Sequence, residues 1–196
     1  MRFLFLSVST FIETKQLIPN IVDSKHLSLS NVVSSEKVSQ SYYKDLSGYS
    51  PVVFNQGVCG NCYAYSSIEG INTNNKVKGR STPYLSPQHL TDCSTMYNFG
   101  CQGGYLIYSM VYALHYGIHS IADYPLNATV VSSGIPSSCR TIDAPKYKIN
   151  NAYRISVESD LCISRLSYVY SGYSLSTAMA ASSSMFQYYS SGILMP

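Results

Sequence analysis

The sequence predicts an α+β chain, helical through its middle and built of loops and short strands afterwards. Three observations carry that reading. Apolar residues recur at helical spacing between Cys62 and Asn74, and cap-and-stop signals bracket two further helices between Ser86 and Gly117. From residue 118 to 157 the chain instead holds Pro125, Gly134, Pro136 and Pro145, which punctuate loops and short strands.

Composition bounds the rest. The chain has 196 residues, 45% of them hydrophobic, and its mean hydropathy is +0.01. It can therefore fill a core and does not read as disordered. Charged residues are only 12%, about half of the ~25% usual in globular proteins. Thirteen basic and 10 acidic residues give a net charge of +3, with no Lys/Arg cluster dense enough to follow a phosphate backbone. Nucleic-acid binding is excluded on that ground. No apolar run approaches the ~18 residues of a membrane-spanning helix. Six cysteines fit an oxidising compartment: the secretory pathway, a lysosome-like compartment or the exterior.

Taken in order, Arg2 precedes the apolar run Phe3 to Ile12, which reads either as a signal-peptide core or as a partly buried strand. Residues 13–41 are serine-rich and aperiodic, so 1–41 is assigned as leader with a short prosegment or linker. Pro51 to Phe54 is an extended approach to a turn at Asn55-Gln56-Gly57. Tyr63 to about Asn74 is a helix with Ala64, Ile68 and Ile71 on its buried face. Lys76 to Thr82 is a basic loop. Ser86 is an N-cap, Pro87 the first helical residue, and Leu85 staples onto Leu90, giving a helix to about Cys93.

Residues 94–104 form a loop. A largely apolar helix follows from Tyr105, carrying Leu106, Met110, Ala113 and Leu114 and ending at Gly117; being apolar on nearly every side, it is expected at the centre of its domain. Glu158 to Tyr170 is read as a helix with Cys162, Leu166 and Val169 on one face. Ser176 to Ala181 is read as a strand, and Phe186 to Tyr189 as one helical turn. No internal repeat is present.

The chemistry concentrates in Gln56-Gly57-Val58-Cys59-Gly60-Asn61-Cys62-Tyr63-Ala64. Cys62 opens a helix, where unpaired N–H groups and the helix dipole favour an anion and hence a reactive thiolate. Gln56 offers a side-chain amide across a glycine-rich turn. With the backbone N–H of Cys62 it would make a two-donor oxyanion hole.

This segment resembles the nucleophile region of the papain-like (cathepsin-type) cysteine peptidases. Tyr84 to Gln88 leading to Leu90, Asp92 and Cys93 is similar to that family's second helix, and Gly100-Cys101-Gln102-Gly103-Gly104-Tyr105 to its substrate loop. Tyr116-Gly117-Ile118 and Tyr124-Pro125 follow in the family's order. Phe186 to Ile193 resembles the stretch that precedes its catalytic histidine. The likeness runs over about residues 42–196.

The resemblance implies a papain-like two-domain fold, with a helical left domain over 42–145 and only the start of a β-rich right domain over 146–196. It implies a peptidase acting on peptide or protein substrates without a cofactor or metal. Cys62 would be the nucleophile and Gln56 the oxyanion-hole amide. Gly103 and Gly104 would hold an extended substrate by its backbone, and Tyr105 and Leu106 would border an apolar pocket. Cys59 would pair with Cys101 and Cys93 with Cys139. Cys162 has no counterpart in that scheme and is expected to be a buried free thiol.

Several features depart from the family. Asn61 and Tyr63 stand where serine and tryptophan are commoner. The family's histidine and orienting asparagine lie beyond the matched segment, and none of His26, His89, His115 and His119 sits in their context. Without that acid-base pair, amide cleavage is slow, so the chain as written is expected to be inactive alone. A non-catalytic secreted peptide-binding protein that keeps the left domain is the alternative. Cys59 and Cys62 also form a CxxC, whose redox reading wants a βαβ context that is absent; a zinc site lacks a second close pair. His89 and His115 are expected to be core or helix-surface residues. The tyrosines are read as amphipathic packing, and Asn127-Ala128-Thr129 as an N-glycosylation acceptor at Asn127.

Overall fold

The computed structural model describes residues 22–23, 46–49, 53–154, 173–178 and 184–190. The signal-like stretch and the expected helix of residues 158–170, with Cys162, lie outside them.

Helix α1 (Cys62–Val77) organises the rest. Ala64, Ile68 and Ile71 are buried on one face, as their spacing predicts, and meet Leu85, Leu90, Ala113 and Ile118 in one apolar cluster. Helices α2 (Pro87–Cys93) and α3 (Leu106–His115) both pack on α1. Ile68 and Leu90 are fully buried, so truncating either to alanine costs about 2–5 kcal/mol.

The α2 start follows the capping rules. The Ser86 hydroxyl accepts the His89 N–H at 3.1 Å, and Pro87 fills the first position, where no intrahelical N–H bond is needed. The centre of the domain is α1 and not α3. Only Ser109 and Ala113 of α3 are fully buried, because an all-round apolar pattern cannot say which face meets a neighbour. Helix α1 also runs three residues past its expected end, to Val77.

Beyond α3, Gly117 takes φ 73° and the chain turns into strand β2 (Ile118–His119). β2 pairs antiparallel with β3 (Lys146–Tyr147), placing Ile118 opposite Tyr147 and His119 opposite Lys146. Strand β1 (Val22–Asp23) pairs in parallel with β4 (Tyr153–Arg154). Between β2 and β3 lies a helix that the reading of 118–157 as loops and strands did not include, α4 (Ala128–Ser133). Asn127 caps it, accepting the Thr129 N–H at 2.9 Å, and Gly134 ends it with φ 69°.

Residues 179–181 of the expected strand lie outside the described residues; residues 173–178 are irregular apart from a β-bridge at Ala178. They are strapped to α1 instead. The Asn74 side chain donates to the Ser174 carbonyl at 3.0 Å and accepts its N–H at 2.7 Å, and the Ser176 hydroxyl donates to the Ser66 carbonyl at 2.7 Å. Ser66, Gly70 and Asn74 share one face of α1. A β-carbon on Gly70 would collide with the Ser176 hydroxyl. The last helical turn, α5 (Ser184–Gln187), falls two residues earlier than expected.

A buried aromatic stack is built on His89 of α2. His89 lies 4.7 Å from His119 and 5.0 Å from Tyr124, ring to ring. The His119 backbone N–H donates to His89 Nδ1 at 2.9 Å, so that nitrogen carries no proton. Burial, with His119 and Lys146 adding repulsion, pushes the His89 imidazole down to about 3.

In the unfolded chain His89 takes up a proton near pH 6.5; in the fold it does not until about pH 3. Its contribution is therefore present above pH 6.5 and is lost as pH falls through that window, by about 2 kcal/mol at pH 5. Glu69 works in the opposite direction, since desolvation raises its carboxyl. Urea midpoints for wild type and His89→Gln between pH 7 and 4.5 isolate the effect: the wild type is expected to lose stability relative to the variant as pH falls. A constant gap would contradict it.

Candidate active site

The segment before α1 is fixed by contacts that converge on Cys59 to Asn61. Gly57 turns with φ 64°, and Val58 N–H donates to the Val131 carbonyl of α4 at 3.0 Å. Cys59 is disulfide-bonded to Cys101 and Cys93 to Cys139. Gly60 N–H donates to the Cys101 carbonyl at 2.9 Å. A β-carbon on Gly60 would sit 2.5 Å from that same oxygen, so no other residue lets the two strands approach this closely.

These constraints deliver Cys62 to the first position of α1 as a free, half-buried thiol. The CxxC redox pairing is thereby excluded, because Cys59 is spent on Cys101. Gln56 lies half-buried in the preceding turn, and its Nε2 donates to the Cys59 carbonyl at 2.8 Å. The amide's second N–H makes no hydrogen bond among the described residues. Its Oε1 is buried and also has no partner among them.

The two positions that depart from the family pattern each do structural work. Asn61 is buried and donates from Nδ2 to the Thr91 hydroxyl of α2 at 2.9 Å. Tyr63 is buried and its hydroxyl donates to the Gly100 carbonyl at 3.1 Å. Burial raises the Tyr63 phenol above its usual range, so it stays protonated and donating.

The Gly100–Gln102 turn and Gly103-Gly104 lie directly beside this segment. Gly103 takes φ 112°, with open space where a side chain would stand. Gly104 has none: a β-carbon there would meet Asn98 Oδ1 at 2.5 Å and the Tyr63 ring at 2.9 Å. Asn98 is the loop's hub. Its Oδ1 accepts the Tyr105 N–H at 2.8 Å while its Nδ2 donates to the Ser94 and Ser109 hydroxyls. The sequence reading missed Asn98; an Asn in a loop bounded by Cys93 and the glycines from Gly100 onward was the available signal. Tyr105 is half-exposed, whereas Leu106 packs against the core cluster.

The described histidines are engaged elsewhere. His89 and His119 stack in the core, where His119 Nδ1 meets the Pro145 carbonyl at 3.0 Å, and His115 is exposed at the end of α3 beside Tyr116. None bonds to Cys62 among the described residues. No group of acidic, His and Cys side chains there could hold a metal ion, and no helix there is long and apolar enough to cross a membrane.

A free cysteine at a helix start, with a clipped glycine loop alongside, is the framework of a thiol-based hydrolase. The chain belongs to the papain family of cysteine proteases, whose family model matches residues 43–196. It is 41% identical over 92 residues to a cathepsin L-like proteinase of Phaedon cochleariae, covering 46% of this chain and 26% of that protein. It is 33% identical over 143 residues to chymopapain of Carica papaya, covering 72% of this chain and 38% of chymopapain. Its fold resembles the crystal structure of the Carica candamarcensis cysteine protease CMS1MS2 in complex with E-64. That match has a TM-score of 0.51 and 31% identity, over 62% of this chain and 55% of the other. The α+β, papain-like fold follows.

Replacing Gly60 by alanine forces a β-carbon against the Cys101 carbonyl and should cost about 1–3 kcal/mol. Thermal melts of the oxidised protein check this. An unchanged midpoint would show that the two segments can part without loss.

Proposed function

We propose that the protein is a cysteine-type peptidase in which Cys62 attacks the substrate carbonyl and carries the acyl group before hydrolysis. The observation that carries this reading is the reduced Cys62 at the first position of α1, beside a Cys59 already spent in a disulfide. The N–H of Cys62 with the second N–H of Gln56 would bind the oxyanion. Gly103 and Gly104 would pair with an extended peptide, with Tyr105 and Leu106 beside its side chains. Residues 42–145 would form most of the left domain; Lys146 and Tyr147 pair with β2, and Tyr147 and Ile149 pack on the same core, so the right domain would start after Ile149.

Acid-base chemistry is needed to protonate the leaving amine. The described histidines are committed elsewhere, so base and orienter would come from residues outside the described ones. Two disulfides support folding in the secretory pathway or a lysosome-like compartment. Asn127, half-exposed at the start of α4, is the proposed glycosylation site. The alternative is a secreted peptide-binding protein that holds but does not cut.

Assay of the protein from its native source, with a fluorogenic peptide amide, separates the two. Turnover that falls at least about 10³-fold in Cys62→Ser supports the peptidase. Gln56→Ala should lower kcat by about 10²- to 10³-fold with KM little changed. Peptide binding without turnover would support the second reading, and turnover surviving Cys62→Ser would sink the first.

A further inference from the structure

No residue of 173–178 joins the apolar cluster beside α1, yet the segment is held to that helix along its length. Tyr173 lies under the Lys78 ammonium, with 4.1 Å from nitrogen to ring centre. Ser174 exchanges two hydrogen bonds with the Asn74 side chain, at 3.0 and 2.7 Å. Ser176 stands over Gly70 and donates to the Ser66 carbonyl at 2.7 Å. The Ser66 hydroxyl in turn reaches the Thr177 carbonyl at 3.5 Å.

The helix partners fall four residues apart, at 78, 74, 70 and 66, which is one ridge of an α-helix. Cys62 is the next position on that ridge. The segment runs against the helix direction and keeps pace with it. Three extended steps, from 174 to 177, cover about 10 Å, while the eight helical steps from 74 to 66 rise about 12 Å. Thr177 therefore meets the helix one turn from Cys62.

Two contacts fix the register as well as the position. A carboxamide both donates and accepts, so Asn74 satisfies the Ser174 carbonyl and N–H together, as a neighbouring strand would. Gly70 sets the separation, because a β-carbon there would stand 2.3 Å from Ser176 Oγ. A slip by one residue would put Leu175 or Thr177 over Gly70, and both are larger than serine.

We propose that Asn74 and Gly70 are positioning residues for the reaction at Cys62. They fix the register of 173–178 on α1, so that base and orienter, carried by residues outside the described ones, stand at the working distance from the sulfur. The inference rests on the peptidase reading. The described histidines do not serve Cys62, so a base from elsewhere has to be held against the nucleophile's helix. Residues 173–178 are a place where later sequence grips that helix. Misplacing a reacting group by 1 Å can cost about 10²-fold in rate.

Two substrates built on one peptide separate positioning from folding: an amide, whose leaving group needs a proton, and an activated aryl ester, whose leaving group does not. In the full protein, Asn74→Ala and Gly70→Ala should each lower kcat on the amide at least about tenfold. KM, and acylation of Cys62 by the ester, should stay within about twofold. Alanine favours a helix over glycine, so a loss in Gly70→Ala is not a melted α1. Adding Ser176→Ala removes the atom that the new β-carbon meets, and Gly70→Ala/Ser176→Ala should recover most of the lost rate. Hydrogen exchange should show 173–178 losing protection in Asn74→Ala while α2 keeps its own. Amide turnover unchanged in both single variants would overturn the proposal and leave the peptidase reading standing. Equal losses on amide and ester would reduce the contacts to packing, and no amide turnover by the wild type would overturn both.

Discussion

The structure depends on one close approach, that of Gly60 to Cys101. A backbone hydrogen bond and a disulfide join two segments 42 residues apart, and the absence of a side chain on Gly60 lets them touch. Cross-linking a loop of that length removes about 4 kcal/mol of unfolded-state entropy in the chain-entropy picture. The consequence for the site is larger than the energy. With Cys59 locked, residues 60–62 have little freedom left, and Cys62 arrives at the start of α1 with its sulfur unspent.

The same joint carries the glycine loop. Tyr63 reaches Gly100 and lies under Gly104, and Asn98 ties Tyr105 to the serines of its neighbours. Nucleophile segment and loop are therefore parts of one rigid unit, built on the first turn of α1. Asn61 adds a tie to α2 through Thr91. Substitutions that looked like departures from the family pattern are the contacts by which this chain holds the unit together. A tryptophan at 63 could not donate a hydroxyl to Gly100, and a serine at 61 is shorter than the asparagine that reaches Thr91.

Much of this was legible in the sequence because it rests on local chemistry. The α1 face, the Ser86–Pro87 cap and the Gly117 stop each need only neighbours within a turn, and all three stand in the structure. What the sequence could not convey depends on distant partners. Centrality of α1 over α3 is decided by which faces meet, and residues 173–178 follow α1 because Asn74 and Ser66 engage them across about a hundred positions. Helix α4 is the exception, since Asn127 and Gly134 were local signals and the prolines around them outweighed them. The stacking of His89 on His119 had no signal: each alone is an ordinary core or surface residue.

The central claim is that Cys62 is set apart as a nucleophile by its place at the helix start. An activated aryl ester of a short peptide tests this most directly, because its leaving group needs no proton and acylation does not wait on a histidine. Acid-quenched samples analysed by mass spectrometry should carry the acyl group on the Cys62 peptide, with a rate that saturates in ester and exceeds labelling at Cys162. Equal or slower labelling of Cys62 would contradict the account.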